Sequence, residues 1–198
     1  MSNCMSSIYP LLETQRLILR DFVESDLPAV HAYAADLEVV RYLPFGPNSE
    51  EETQNYLHTE IKMRRKKIRE HFAFAIALKA DKQVIGSCRI SITDRTKQEG
   101  SIGYCLAREF WGQGYATEVA QKLLEFGFKQ LSLHRIFALC HPKNKASMRV
   151  LIKIGMRQEG YLREYEWSKG EWQDRLLFAM LDREMMQMQF LSMEAEKV

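Results

Sequence analysis

The chain has 198 residues, 46% hydrophobic and 27% charged, with a net charge of +2, which suits one domain with a single substantial core. Near-neutral charge gives no footprint for nucleic acid, and no apolar run approaches the ~20 residues that span a bilayer, so no membrane partner is expected. The N-terminal Met-Ser-Asn-Cys-Met-Ser-Ser does not read as a signal peptide, and four scattered cysteines with no C-x-x-C pair read as reduced thiols of a cytoplasmic protein, with no metal site expected.

Residues 1–10 read as a flexible lead closed by Pro10. One domain follows over 11–186, and the Met-rich 187–198 read as a helical or frayed tail. Residues 16–22 suggest a first strand. Ser25 or Asp26 can cap a short helix with Pro28 in its first turn, where proline is tolerated. Residues 43–48 carry the breakers of a loop. Ser49 opens a helix with Glu50, Glu51 and Glu52 in its first turn; that helix is expected to end in the basic run 64–69, matching the macrodipole at both ends. The run reads as a solvated helix end, with attraction of an acidic substrate or cofactor phosphate as the lesser alternative.

Residues 72–78 and 84–92 form an apolar hairpin. Ile102, Tyr104 and Leu106 then alternate as in a strand, and Ala116, Val119, Ala120, Leu123, Gly127 and Leu131 recur as on the buried face of a helix. Residues 135–140 read as a short buried strand and 146–154 as a helix stopping before Gly155. Strands near 157–167 and 172–181 turn at Lys169-Gly170. The sum is about seven strands and four helices, a mixed α/β (α+β) domain on a central, mostly antiparallel sheet.

The junction Trp111-Gly-Gln-Gly-Tyr-Ala-Thr-Glu118 is the informative stretch. Its two glycines permit a sharp turn and close backbone approach, and the first turn of the following helix offers unpaired N–H groups and partial positive charge to an anion such as a diphosphate. The dinucleotide and P-loop signatures both fail here, so a diphosphate would belong to another ligand. Plain turn chemistry is the alternative.

This element order, with Leu12-Glu-Thr-Gln-Arg-Leu-Ile-Leu-Arg20, Ile102-Gly-Tyr104, the Trp111–Glu118 stretch, Asn144-Lys-Ala-Ser147 and Lys153-Ile-Gly-Met156, resembles the GNAT superfamily of acetyl-CoA-dependent N-acetyltransferases. The likeness is greatest to the branch of ribosomal-protein N-terminal acetyltransferases and covers residues 12–184. It implies a GNAT-like twisted sheet and acetyl-CoA as cofactor. Gln113, Gly114, Tyr115, Ala116 and Thr117 would hold the coenzyme A diphosphate, and Tyr104, Cys105 and Leu106 would pair with the pantetheine arm. Trp111 departs from the Arg or Gln of the broad family pattern. Asn144 would bind pantetheine or cap its helix, and Ser147 would contact the cofactor and protonate the leaving sulfur.

Acetyl transfer needs a neutral amine, a polarised carbonyl and a protonated leaving thiolate. Backbone N–H groups around Cys105 and Leu106 could polarise the carbonyl. The branch often carries Glu immediately before Ile-Gly-Tyr, where this chain has Ser101, so the base is open: Glu99 or His141, each equally a solvated or turn residue, or water alone. Cys105 and Cys140, in apolar strands, read as packing rather than nucleophiles. Three functions compete: direct transfer to a protein or peptide N-terminal amine, such as that of a ribosomal protein; transfer to a small amine; and an acyl-CoA-binding module without turnover. Monomer and homodimer both remain open.

Overall fold

The computed structural model describes residues 11–64, 66 and 68–195; the expected flexible lead over 1–10 lies outside them. In chain order the elements are β1 (Leu12–Glu13), β2 (Leu17–Arg20), α1 (Leu27–Ala34), α2 (Leu37–Val40), α3 (Glu50–Met63), β3 (His71–Leu78), β4 (Val84–Asp94), β5 (Glu99–Leu106), α4 (Tyr115–Lys129), β6 (Arg135–Cys140), α5 (Lys145–Lys153), β7 (Arg157–Ser168), β8 (Glu171–Leu181) and α6 (Asp182–Ala195). Short β1 and one-turn α2 are additions to the expected elements; of the two forms expected for the tail, helical or frayed, the described residues show helix α6, which starts at Asp182 and runs to Ala195. The sheet order is β1-β2-β3-β4-β5-β6-β8-β7, and every pairing is antiparallel except β5 with β6.

Local chemistry sets the helix ends. Ser49 and Glu52 form a capping box at α3: Ser49 Oγ accepts from Glu52 N at 3.2 Å, and Glu52 Oε2 accepts from Ser49 N at 2.7 Å. Asp26 stands at the cap position of α1, but its buried carboxylate turns back to take two bonds from Arg20 (2.7 and 2.8 Å) and one from Val23 N. The basic run does not extend α3, which stops at Met63. Arg69 is buried instead, its Nη2 on Asp21 at 2.8 Å and its Nε on His71 O at 3.0 Å, and the chain has to leave the helix to put it there.

The pleat divides the sheet into two faces. Even-numbered residues of β3 to β5, such as Phe72, Phe74, Cys88, Ile90 and Ile102, join the larger core under α4 and α5. Phe126 of α4 meets Phe72 and Phe74 edge-to-face at 5.4 and 6.0 Å, and each such pair adds about 0.5–1.5 kcal/mol beyond its burial. Odd-numbered Ala73, Ala75 and Cys105 face a smaller core with Phe22, Val30, Tyr33 and Leu57 of the α1–α3 layer.

The β5–β6 pairing covers only Glu99↔Arg135, Gly100↔Ile136 and Ser101↔Phe137. Past Ser101 the two strands part. Residues 102–106 keep β4 as a neighbour and 138–140 keep β8, but neither has the other across the gap. A wedge-shaped slot therefore opens through the middle of the sheet.

Candidate active site

The turn into α4 stands at the mouth of this slot. Gly112 and Gly114 take positive φ (73° and 84°), a conformation that costs other residues about 1–2 kcal/mol. A Cβ on Gly112 would meet nothing within 4 Å. No side chain caps the helix, and its first internal bond runs from Glu118 N to Gly114 O at 3.1 Å. The amides of Gly114, Tyr115, Ala116 and Thr117 are thus left to a ligand or to water. Gln113 braces the loop, its Nε2 donating to Glu109 O at 2.9 Å.

Two residues that sequence reasoning left without a role lock this turn to the β1–β2 hairpin. Glu118 accepts from the Thr14 hydroxyl, from Arg16 N at 2.9 Å and from Arg16 Nε at 2.8 Å. Arg16 Nη1 donates to Gln113 O at 3.0 Å, and its guanidinium lies 4.2 Å over the Tyr115 ring. Burial opposes the Glu118 charge, but these donors outweigh it and hold the carboxyl below its ordinary range. The clamp brings a cation beside the proposed diphosphate turn.

The strand register decides which β5 backbone groups face the slot. Ala107 N donates to Ile85 O at 2.9 Å. In an antiparallel ladder bonded residues alternate, so Cys105 and Gly103 also direct their amides at β4, and Tyr104 and Leu106 direct theirs into the slot. Cys105 is therefore corrected: its N–H and C=O are spent on β4 and cannot pair with a pantetheine arm or polarise a carbonyl. Tyr104 and Leu106 remain available, except that Leu106 O takes the Trp111 indole N–H at 2.8 Å. That bond gives Trp111 a positive role, pinning the glycine turn to the end of β5.

Ser147 comes to the slot from α5. Its amide is held by the Asn144 side chain at 3.0 Å, so Asn144 is a helix cap here. The Ser147 hydroxyl lies 3.2 Å from the Tyr104 hydroxyl. Burial pushes the Tyr104 phenol up to about 12, keeping its proton in place at neutral pH.

On the opposite face the two central strands lie open. Ser87, Arg89 and Ser91 of β4 and Ser101, Gly103 and Cys105 of β5 are all partly or fully exposed, whereas most residues between them are buried. The α1–α3 layer leaves a cleft over them. Lys169 Nζ, at the β7–β8 turn, reaches over to Val40 O at 2.6 Å, and Tyr42 stacks on His141 at 5.1 Å. Buried Arg175 binds Glu166 beside them.

The expected bases are both engaged. Glu99 lies five residues from Tyr104, roughly 16 Å along the strand, and bonds Arg135 Nε at 3.0 Å; Arg135 also holds Glu159. His141 Nδ1 accepts from Lys143 N at 3.1 Å, which puts its proton on Nε2, facing Gln173 Oε1 at 3.1 Å. Gln173 in turn donates from Nε2 to Glu171 at 2.8 Å, consistent with that orientation. Burial and then the Arg175 charge lower the His141 pKa. The thiols of Cys105 and Cys140 are pushed by burial to about 12 and about 11, so neither presents a thiolate at neutral pH.

Comparison with known proteins places these features. Residues 16–157 match the model of the acetyltransferase (GNAT) domain. An uncharacterized N-acetyltransferase of Bacillus licheniformis, p20, is 35% identical over 87% of this chain and 97% of its own. The crystal structure of a GNAT-family acetyltransferase from Bacillus anthracis superposes with a TM-score of 0.78 at 33% identity, covering 88% of this chain and 99% of that one. RimL, a ribosomal L7/L12 alpha-N-protein acetyltransferase solved with coenzyme A, shares the fold at a TM-score of 0.76 and 21% identity, over 87% and 98% of the two chains.

Proposed function

The chain belongs to the GNAT acetyltransferase family and is an acetyl-CoA-dependent acetyltransferase, and on that premise we propose that its acceptor is the N-terminal α-amine of a protein or peptide. The observation that carries this is the absence, among the described residues placed at the slot, of an unengaged strong base: Glu99 is held by Arg135 and the His141 lone pair by Lys143. An α-amine with pKa near 8 costs only about 1.4 kcal/mol to deprotonate at pH 7, against roughly 4.6 for an unperturbed lysine. An α-amine can lose its proton to water in the open cleft; a lysine would need a base. The fold shared with RimL is consistent with such an acceptor, a ribosomal protein among the possible ones.

In this reading the first-turn amides of α4 hold the diphosphate, with Arg16 alongside. The slot-facing backbone of Tyr104 pairs with the pantetheine arm, and the Leu106 N–H polarises the thioester carbonyl. The amine approaches from the open face and attacks directly as the C–S bond breaks. Ser147 supplies a proton to the departing sulfur and recovers it from the Tyr104 hydroxyl, which is resupplied by solvent. The unreactive thiols support transfer without an acetyl-cysteine.

The test follows free thiol release from acetyl-CoA with N-terminal peptides, lysine peptides and small amines, mapping the acetyl group by mass spectrometry. Acetylation of peptide α-amines is expected. Turnover confined to lysine side chains or polyamines would overturn the acceptor assignment.

A further inference from the structure

Arg89 stands out on the floor of the acceptor cleft. It lies on β4, a central strand, yet its side chain is exposed. Its cross-strand partner is Gly103 of β5, and a Cβ at Gly103 would come 3.2 Å from Arg89 Nε, 3.6 Å from Cγ and 3.8 Å from Cζ. The side chain therefore lies flat across the glycine, toward the slot edge of β5. Gly103 immediately precedes Tyr104, whose backbone lines the slot, so the guanidinium stands about one strand spacing, roughly 4.8 Å, from the line where the acceptor must pass.

Arg16, Arg20, Arg69, Arg135 and Arg175 each bond a carboxylate. Arg89 has no carboxylate within ion-pair distance among the described residues. Glu60, on the facing helix α3, has its Oε1 on His71 Nε2 at 3.2 Å. Tyr56, also on α3, feels both charges: burial and then Glu60 raise the pKa of its hydroxyl, and Arg89 opposes them. A planar, permanently charged fork with free donors, displayed on a rigid strand between a glycine and a tyrosine, is the geometry that receives a carboxylate.

We propose that Arg89 is a specificity-determining residue and that the preferred acceptor carries a carboxylate close to its reacting amine. This rests on the acceptor entering over the open face, as the proposed function requires. The carboxylate could be an acidic side chain just after the N terminus of a peptide, or the α-carboxylate of a free amino acid.

The test compares peptides identical except for Asp, Asn or Lys at the second position, and a free amino acid against its amide, on the wild type, Arg89→Gln and Arg89→Glu. One charge-assisted contact in a partly open site is expected to give about a tenfold lower KM for Asp over Asn. Arg89→Gln should erase that ratio, Arg89→Glu should turn it toward Lys, and coenzyme A affinity should stay as in the wild type. Preference for amino acid over amide, without a second-position effect in peptides, would assign the α-carboxylate as the source and still require loss in Arg89→Gln. Calorimetry with the acetylated Asp and Asn peptides, in the presence of coenzyme A, reads the same ratio without turnover. Peptide acetylation indifferent to charge, or a preference that survives Arg89→Gln, would overturn the role of Arg89 and leave the α-amine assignment standing. A carboxylate preference lost in Arg89→Gln among amino acids alone, with peptides inert, would do the reverse.

Discussion

Ser147→Ala isolates the leaving-group step, because the structure predicts a small structural cost and a large kinetic one. The side chain loses one neutral hydrogen bond, to the Tyr104 hydroxyl at 3.2 Å, worth about 1 kcal/mol. The helix start is spared, since Asn144 caps it through the Ser147 amide, which alanine retains. Removing a proton donor costs typically 10²–10⁴ in rate. A thiol of pKa near 8.5 leaves readily, which argues for the lower end, about 100-fold or ~2.7 kcal/mol. Tyr104→Phe should cost less, roughly fivefold, if Tyr104 works only by resupplying Ser147. The double variant should then be no slower than Ser147→Ala, because two residues acting in series do not add. Thiol release would give kcat and KM for all four proteins, and calorimetry the coenzyme A affinity. Additive losses in the double variant would refute the relay, and a weakened coenzyme A affinity with unchanged kcat would make Ser147 a binding residue.

Gly114→Trp should lower coenzyme A affinity by about 100-fold or more, equivalent to ~2.7 kcal/mol, by filling the approach to the first-turn amides; a folded variant that binds as before would refute the placement of the diphosphate. Glu118→Ala takes the partner from the Arg16 amide and Nε, while the Thr14 hydroxyl keeps its bonds to Leu17, and should cost roughly 2 kcal/mol, read as a fall in Tm of about 4–8 °C together with weaker coenzyme A binding. An unchanged Tm would show that the clamp is incidental. His141 has its pKa depressed in the fold by burial and by Arg175, so the unfolded chain binds the proton more readily and stability should decline as pH falls from about 6.5 downward. His141→Asn should flatten that part of the Tm profile between pH 7 and 5; an identical slope in both proteins would show that another group is responsible.

The fold was legible where one periodicity dominated. The stripe from Ala116 to Leu131 marked α4, and the alternation at Ile102, Tyr104 and Leu106 marked β5, because each pattern reports which face is buried. The basic run after Met63 misled, because charge complementarity to a helix end looks the same whether or not the helix continues; Arg69 is buried by a partner, Asp21, that lies 48 residues away. The same limit hid the Arg16–Glu118 clamp, whose members are 102 residues apart. Cys105 was grouped with Tyr104 and Leu106 although its backbone faces β4, since the direction of a strand's amides depends on register with β4 and not on its own sequence. Arg89 did leave a signal: Ser87, Arg89, Ser91 and Thr93 put polar groups at every second place of a strand otherwise apolar, the mark of one face open to water in the middle of a sheet.

That alternation separates two inheritable tasks within single strands. From Ser87 onward in β4 and along β5 from Ser101 to Leu106, the even positions build the core beneath α4 and α5, and the odd ones floor the cleft where the acceptor enters. Mutation at Ser87, Arg89, Ser91 or Ser101 can therefore explore new acceptors while packing on the far side goes undisturbed. A lineage built this way can diversify its targets without rebuilding its grip on the acetyl donor, and a designer can draw a library from the same four positions.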